Sequence, residues 1–283
     1  MPMVQSIQKL RTIANDYEVF IIDLWGVIHN GIKVFLPAIE ALEHLKKAGK
    51  IVYLVTNNPK TSAENIVKLT GMGLSCEFYT EMISAGQKCL EMFLNNEILP
   101  DRPRPLRALI LEEGLACTWD KVAGLTRVPA LCDADIILGF HIAEEIIDMS
   151  SYKSMLEEAL SHNILFVCSN PDMYATRNNE RFARVGLLAR TYEQMGGPVI
   201  YVGKPYPSIY EEILEKHRNK RILMIGDSLI TDIKGANQMG FDGMLVSMGN
   251  HKEELSKVPS SELQNFFIRK GIVPTFLCPQ LLW

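Results

Sequence analysis

Residues 19–27 constrain the fold more than any other segment, because an apolar run there stops at Asp23 and a glycine follows at Gly26. Such a run is typical of a buried strand in a parallel sheet, where ligands bind beyond the carboxyl ends of the strands. Trp25 stands two residues after the carboxylate. Since side chains alternate faces along an extended chain, we expect Asp23 and Trp25 to line the same crevice. Taken alone, the segment is equally compatible with a capping aspartate followed by a core tryptophan.

The pattern of apolar run, polar turn and helix recurs along the chain. Pro37 opens a predicted helix that ends at Gly49, and Thr61 begins the capping-box sequence of another helix. Further apolar runs predict buried strands at residues 51–55, 108–111, 136–138, 164–167, 199–202, 222–225 and 243–247. This alternation predicts an α/β fold with a doubly wound parallel sheet.

The order of these elements also predicts two domains. A core domain is expected at residues 1–84 and 199–283, interrupted by an inserted α/β domain at residues 85–198. The glycine and proline turn at residues 196–198 is a natural joint between them. The apolar tail, residues 273–283, is expected to pack against the core.

Composition excludes some classes of partner. The 283 residues are 47% hydrophobic and 22% charged, with a formal net charge of -4, so nothing in the charge favours nucleic acid or an anionic membrane. Residues 1–16 lack the basic start and apolar stretch of a secretory signal, and no apolar run is long enough to cross a bilayer. We therefore expect a cytoplasmic protein.

Four polar clusters each follow a predicted strand. They are Asp23, the Thr-Asn-Asn sequence at residues 56–58, the Gly-Lys-Pro sequence at residues 203–205, and the Gly-Asp-Ser-Leu-Ile-Thr-Asp sequence at residues 226–232. In a parallel sheet all four would meet at one edge. The second cluster alone could be a capped turn, and the lysine of the third could simply be solvated. The fourth is the strongest signal, because such a segment between a strand and a helix is rarely only a cap.

Together the clusters suit a phosphoryl group and a divalent ion. Thr56 and nearby backbone N–H groups would donate to phosphate oxygens, and Lys204 would supply a compact positive charge. Asp227 and Asp232, with Asp23, would hold Mg²⁺, a hard cation that prefers oxygen ligands. An aspartate beside a neutralised phosphate can attack phosphorus and form an acyl phosphate, which water then hydrolyses.

These motifs, in this order, resemble those of the haloacid dehalogenase-like (HAD) hydrolases. The asparagines after Thr56, the Gly-Lys-Pro sequence at 203–205 and the large insertion are similar to the branch with a type C2 cap, the NagD-like phosphatases. The Asn-Pro-Asp sequence at residues 170–172 is similar to the cap loop that faces the substrate in that branch. The resemblance covers nearly the whole chain.

The resemblance implies a Rossmann-like core with an inserted C2 cap, a small phosphorylated substrate, Mg²⁺ as cofactor and a possible homodimer. It implies that Asp23 is the nucleophile and that Lys204 is the stabilising cation. The residues implied to bind phosphate or substrate are Thr56, Asn57, Asn58, Asn170 and Asp172. The implied metal ligands are Asp23, the backbone carbonyl of Trp25, Asp227 and Asp232.

Trp25 departs from the family pattern, because family phosphatases have an aspartate there that acts as general acid and base. General acid–base catalysis contributes about 10²–10⁴ in rate, so its loss should slow the reaction without abolishing it. One hypothesis is therefore a phosphatase whose substrate needs no acid or whose acid is replaced, for example by His29 or Asn30. The alternatives are a haloacid dehalogenase, which has an aromatic residue at this position, and a phosphometabolite-binding protein with impaired catalysis.

Overall fold

The computed structural model describes residues 3–112, 118–142, 149–177 and 180–283. The described chain forms two compact units. The first contains the residues up to Thr56, then Ser62–Ile83 and Lys204–Trp283, and the second contains Asn57–Thr61 and the described part of Ser84–Gly203.

Helices and strands alternate along most of the chain, which confirms the predicted α/β class. The described strands are β1 (Gln5–Ser6), β2 (Val19–Ile22), β3 (Ile51–Thr56), β4 (Glu81–Ser84), β5 (Leu106–Glu112), β6 (Leu125–Arg127), β7 (Ile136–His141), β8 (Leu165–Cys168), β9 (Tyr174–Arg177), β10 (Glu180–Ala183), β11 (Val199–Tyr201), β12 (Ile222–Gly226), β13 (Asp242–Val246) and β14 (Phe276–Cys278). The described α-helices are α1 (Leu36–Lys47), α2 (Ser62–Gly71), α3 (Ala85–Leu94), α4 (Lys153–Ser161), α5 (Val185–Gln194), α6 (Glu211–Lys216), α7 (Lys234–Met239), α8 (Lys252–Ser256) and α9 (Leu263–Lys270).

The sheet of the first unit has the strand order β1-β14-β13-β12-β2-β3-β4. The pairs β1–β14, β14–β13, β13–β12, β12–β2 and β2–β3 are parallel. Ile22 at the end of β2 pairs with Ile225 of β12 on one side and Leu54 of β3 on the other. The carboxyl ends of β12, β2 and β3 therefore lie side by side, and the residues that follow them share one edge of the sheet.

The apolar patterns of the sequence account for these elements. All four residues of β2 are fully buried, as expected for a strand covered on both faces. In α1, Pro37 lies in the first turn and Gly49 follows the helix with a φ of +68°, which favours glycine. The helix buries the face at helical spacing formed by Ala38, Ala41, Leu42 and Leu45.

The second unit has its own parallel sheet, with the strand order β11-β8-β7-β5-β6, and an antiparallel hairpin of β9 and β10. Its core includes Phe166 and Leu188, both fully buried, which pack in one apolar cluster. No helix in the described ranges has both the length and the apolar character that a bilayer crossing needs.

Some elements differ from the sequence predictions. We expected the strand near residue 199 to belong to the core domain, but β11 pairs with β8 in the second sheet. The apolar tail packs against the core as predicted, and it also contributes a strand, since β14 pairs with both β1 and β13. Strand β4 and the β9–β10 hairpin were not predicted, since their residues lack the continuous apolar run that marks a fully buried strand.

The core position of α1 gives a stability prediction. Replacing the fully buried Leu42 by Ala should lower the free energy of unfolding by about 2–5 kcal/mol, because it removes apolar contacts and leaves a cavity. Leu36→Ala, at a position on the same helix that is 73% exposed, should change it by less than about 0.5 kcal/mol. Urea unfolding of both variants measures the difference, and equal losses would contradict the assignment of this face to the core.

Candidate active site

A cluster of three buried carboxylates lies at the shared strand edge of the first unit. Asp23 follows β2, Asp227 follows β12, and Asp232 lies five residues further on. Each contributes a carboxylate oxygen, and these oxygens all lie within 4.8 Å of one another. Asp227 and Asp232 are only 2% and 1% exposed, so the cluster concentrates negative charge where water screens it little.

Lys204 supplies positive charge inside this cluster. Its ammonium contacts Oδ1 of Asp23 closely, lies 2.8 Å from Oδ1 of Asp232 and donates to the carbonyl of Val55 at 3.0 Å. Burial alone would lower the pKa of this ammonium, but the charges and hydrogen bonds of Asp23 and Asp232 outweigh burial and raise the pKa above its ordinary value. Lys204 is therefore positively charged at neutral pH.

Glycines make room for the carboxylates. A Cβ atom on Gly26 would lie 2.0 Å from Oδ2 of Asp227, and Gly26 also has a φ of +81°. A Cβ atom on Gly226 would lie 2.1 Å from Cγ of Asp232. These distances are far shorter than a van der Waals contact, so the packing of Asp227 requires a glycine at position 26 and the packing of Asp232 requires one at position 226.

The segment from Asp227 to Asp232 folds back so that both acids reach the same cluster. Leu229–Ile233 forms a π-helical turn, and the N–H groups of Asp232 and Ile233 donate to the carbonyl of Ser228 at 3.1 Å. In return, the backbone N–H of Ser228 donates to Oδ2 of Asp232 at 3.1 Å. With five residues from Asp227 to Asp232, the turn brings both carboxylates into the same cluster.

Asn250 is a site residue that our reading of the sequence missed. Its backbone N–H donates to Oδ2 of Asp227 at 2.9 Å, and its side-chain amide donates to Oδ1 at 3.0 Å. Asn250 follows β13, which is the strand next to β12. The rule that ligand-binding residues follow parallel strands could therefore have found it.

The chain turns immediately after Asp23. The expectation that Asp23 and Trp25 line the same crevice assumed an extended chain, and that assumption is wrong. The carbonyl of Leu24 accepts from the N–H groups of Ile28 and His29 at 2.8 and 3.0 Å, which is a helical turn and not an extended chain. The half-buried Trp25 ring packs edge to face on His29, with ring centroids 5.6 Å apart. It also fills the space beside Gly31, where a Cβ atom would lie 2.5 Å from the indole.

The geometry of His29 does not favour it as the replacement acid. The ring is 4% exposed, and its Nδ1 accepts a hydrogen bond from the backbone N–H of Gly31 at 2.9 Å. Burial and, to a smaller extent, the charge of Lys68 lower the pKa of His29 to about 4. The imidazole is therefore neutral at pH 7 and its Nδ1 acts as an acceptor.

The structure divides the remaining candidate residues between the two units. Thr56 ends β3 in the first unit and is buried. In the second unit, the side-chain amide of Asn57 donates to Oδ1 of Asp172 at 2.9 Å, and Oδ1 of Asn170 accepts from the N–H of Asp172 at 3.3 Å. Oδ1 of Asn58 accepts from the N–H of Lys60 at 2.9 Å, as in a capped turn.

The donor set fits a divalent cation. Three carboxylates supply oxygen ligands, which Mg²⁺ prefers, and a single ammonium contacts two of them. Burial, followed by the charges of Asp23 and Asp232, raises the pKa of Asp227 well above its ordinary value. A doubly charged cation among the three carboxylates would relieve this repulsion.

This raised pKa gives a prediction for the metal-free protein. The folded state binds a proton at Asp227 more tightly than the unfolded chain, so the stability from this group is present at low pH and falls as the pH rises through the raised pKa. With a chelator, the melting temperature of Asp227→Asn relative to the wild type should rise as the pH increases from 4 to 8, because only the wild type gains a charge there. The hydrogen bond from Asn250 that the variant loses lowers its melting temperature by a similar amount at every pH. Thermal unfolding between pH 4 and 8 measures this, with the exposed Asp16→Asn as control. A difference between the two proteins that does not change with pH would contradict the raised pKa of Asp227.

Two models of known protein families match the chain. Residues 20–113 match a model described as haloacid dehalogenase-like hydrolase, and residues 201–268 match one described as HAD-hydrolase-like. The first match contains Asp23 and Thr56, and the second contains Lys204, Asp227 and Asp232.

Curated relatives match over most of the chain. Human chronophin is 27% identical over 259 residues, which cover 85% of this chain and 84% of chronophin. The ribonucleotide monophosphatase NagD of Escherichia coli is 25% identical, covering 81% of this chain and 87% of NagD. The D-glycerol 3-phosphate phosphatase of Mycobacterium tuberculosis is 24% identical, covering 85% of this chain and 65% of that protein.

A solved structure extends the similarity to the whole fold. The haloacid dehalogenase-like hydrolase from Brucella suis superposes with a TM-score of 0.77 and 26% identity, covering 98% of this chain and 100% of that chain. The motifs, the parallel sheet and these matches agree with one another. The chain therefore belongs to the haloacid dehalogenase-like hydrolases, within their NagD-like branch.

Proposed function

We propose that the protein is a magnesium-dependent phosphatase that hydrolyses a small phosphorylated metabolite through an aspartyl phosphate on Asp23. The observation that carries this proposal is the contact of Lys204 with Asp23 inside a cluster of three carboxylates at the strand edge. The similarity to NagD and to the mycobacterial phosphatase, whose names describe phosphate monoester hydrolysis, supports the same class of substrate.

Asp23 is the nucleophile in this proposal. Its carboxylate oxygen forms a bond to phosphorus while the ester oxygen leaves with the bonding electrons, and water then cleaves the acyl phosphate to return the carboxylate and inorganic phosphate. Lys204 offsets the repulsion between the carboxylate and the incoming phosphate, because its ammonium contacts Asp23 directly. Thr56, at the end of β3, would donate to a phosphate oxygen.

Asp23, Asp227 and Asp232, with the backbone carbonyl of Trp25, would hold Mg²⁺. When bound, the ion would neutralise the phosphate oxygens and the carboxylates. The requirement for oxygen ligands is met by the three side chains.

We further propose that the second unit, Asn57–Thr61 with the described part of Ser84–Gly203, is the inserted cap that the sequence predicts at residues 85–198, and that its Asn170 and Asp172 contribute to substrate selection. Asn57 and Asn58 belong to the same proposed substrate-binding set. The hydrogen bond from Asn57 to Asp172 supports this grouping, because it ties the segment after Thr56 to the 170–172 loop.

Trp25 limits the substrates that such an enzyme can turn over. An indole cannot protonate a leaving oxygen, and the neutral His29 has its Nδ1 engaged by Gly31. Esters with good leaving groups and acyl phosphates would therefore react fastest, since their leaving groups depart with little protonation. Because Trp25 supplies no general acid, the second candidate function is a phosphometabolite-binding protein with impaired turnover. A haloacid dehalogenase is disfavoured, because that chemistry has no use for the Asp227–Asp232 pair.

The first test removes the proposed nucleophile. Asp23→Asn should lower magnesium-dependent hydrolysis of p-nitrophenyl phosphate by at least about 10³-fold, because the covalent route is lost. The exposed Asp133→Asn is the control and should leave the rate unchanged. Full activity of Asp23→Asn would refute the mechanism. Failure of the wild type to hydrolyse any member of a broad phosphate panel would favour the binding protein instead.

The second test restores the missing acid. Trp25→Asp should raise the rate on alkyl phosphates by up to about 10²–10⁴-fold and change the rate on p-nitrophenyl phosphate much less. Trp25→Phe keeps an aromatic ring without an acid and should show no such gain. Leaving-group dependence of kcat across a series of phosphate esters distinguishes the two variants. Equal rates for Asp and Phe at this position would mean that lack of an acid is not what limits the enzyme.

A further inference from the structure

A single loop after β13, residues 247–251, contacts the acidic turn that begins at Asp227 at two points, Asp227 and Leu229. Gly249 packs directly on the carboxylate, since a Cβ atom there would lie 2.3 Å from Oδ2 of Asp227. Asn250 donates two hydrogen bonds to the same carboxylate, and His251 accepts one from the backbone N–H of Leu229. We call residues 247–251 the clamp loop.

Asn250 fixes the plane of the Asp227 carboxylate. One N–H donor of Asn250 reaches Oδ1 and the other reaches Oδ2, at 3.0 and 2.9 Å. Each carboxylate oxygen has two acceptor positions, so each keeps one for another partner while the donors set its direction. Lys204 contacts Asp23 and Asp232, whereas the described direct donors to Asp227 come from Asn250.

His251 fixes the start of the π-helical turn. Its Nε2 lies 3.0 Å from the backbone nitrogen of Leu229, which can only donate, so Nε2 is the acceptor. The proton of the neutral ring then lies on Nδ1, which donates to Glu254 at 3.0 Å. Glu254 is paired in turn with Lys270 at 2.7 Å. This chain of contacts sets the tautomer of His251 and anchors the turn that carries Asp232.

We propose that Asn250 and His251 are positioning residues that hold Asp227 and the turn to Asp232 in the arrangement that binds a divalent cation. The inference rests on the proposed function, because it assigns the acids to a metal. Partners that orient metal ligands without touching the metal commonly change metal affinity by about 10–100-fold when they are removed.

The test is magnesium binding measured directly on the full-length protein. Isothermal titration of MgCl₂ without substrate should show that Asn250→Ala weakens the Kd by about 10–100-fold, with a smaller loss for His251→Ala. His251→Gln should bind nearly as the wild type, because its amide oxygen can accept from Leu229 while its NH₂ donates to Glu254. If Asn250→Ala does not fold, Asn250→Ser replaces it in the titration.

Asn237→Ala is the matched control. Asn237, like Asn250, makes two hydrogen bonds, but both go to the backbone of Val273, to its carbonyl at 3.0 Å and its N–H at 3.1 Å, and not to the acids. This variant should melt at a lower temperature and bind Mg²⁺ as the wild type does. A purely structural role for Asn250 would make the two asparagine variants behave alike.

The outcomes separate the two proposals. Wild-type affinity in both Asn250→Ala and His251→Ala, with an active wild type, would overturn the positioning role and leave the phosphatase standing. Loss of affinity in His251→Ala without recovery in His251→Gln would overturn the hydrogen-bond argument for His251. A wild type that neither binds Mg²⁺ nor hydrolyses phosphate esters would overturn the inference together with the function on which it rests.

Discussion

The contact of one buried ammonium with two carboxylates is the interaction on which the site depends. Lys204 compensates charge that the fold could not otherwise bury, because Asp23, Asp227 and Asp232 lie within 4.8 Å of one another. The compensation is incomplete, because burial and the charges of Asp23 and Asp232 still raise the pKa of Asp227. The first unit thus keeps an unfavourable concentration of charge at its strand edge, which is typical of a site built to bind an ion rather than to stabilise the fold.

Much of this arrangement could be predicted from the sequence. The apolar runs located the central strands, because full burial on both faces leaves a pattern that is visible without partners. Asp23, Asp227 and Asp232 could be placed together because they follow strands that pair in parallel. Lys204 lies beside Asp23, although the strand before it, β11, pairs in the second sheet and not in the sheet that we expected. Burial of a strand can be read from its own residues, but the identity of its neighbour depends on the rest of the chain.

What the sequence could not give depends on local backbone geometry. Alternation predicted that Trp25 would share the face of Asp23, yet the hydrogen bonds to Leu24 turn the chain before the indole. Asn250 was overlooked because a single polar residue in a loop carries no pattern, and its role is visible only from the two donors on Asp227. The division of roles among Thr56, Asn57 and Asn170 is likewise a matter of contacts that spacing does not encode.

Residues 25 and 26 differ in how freely they can be substituted, because their surroundings in the fold differ. Gly26 lies against the Asp227 carboxylate, which leaves no room for a side chain at position 26. The Trp25 ring instead packs on His29 and Gly31 within its own loop. An evolving lineage can therefore alter the chemistry at position 25 without dismantling the carboxylate cluster. Libraries that vary this one position while holding its neighbour fixed would explore changes in reactivity on an intact scaffold.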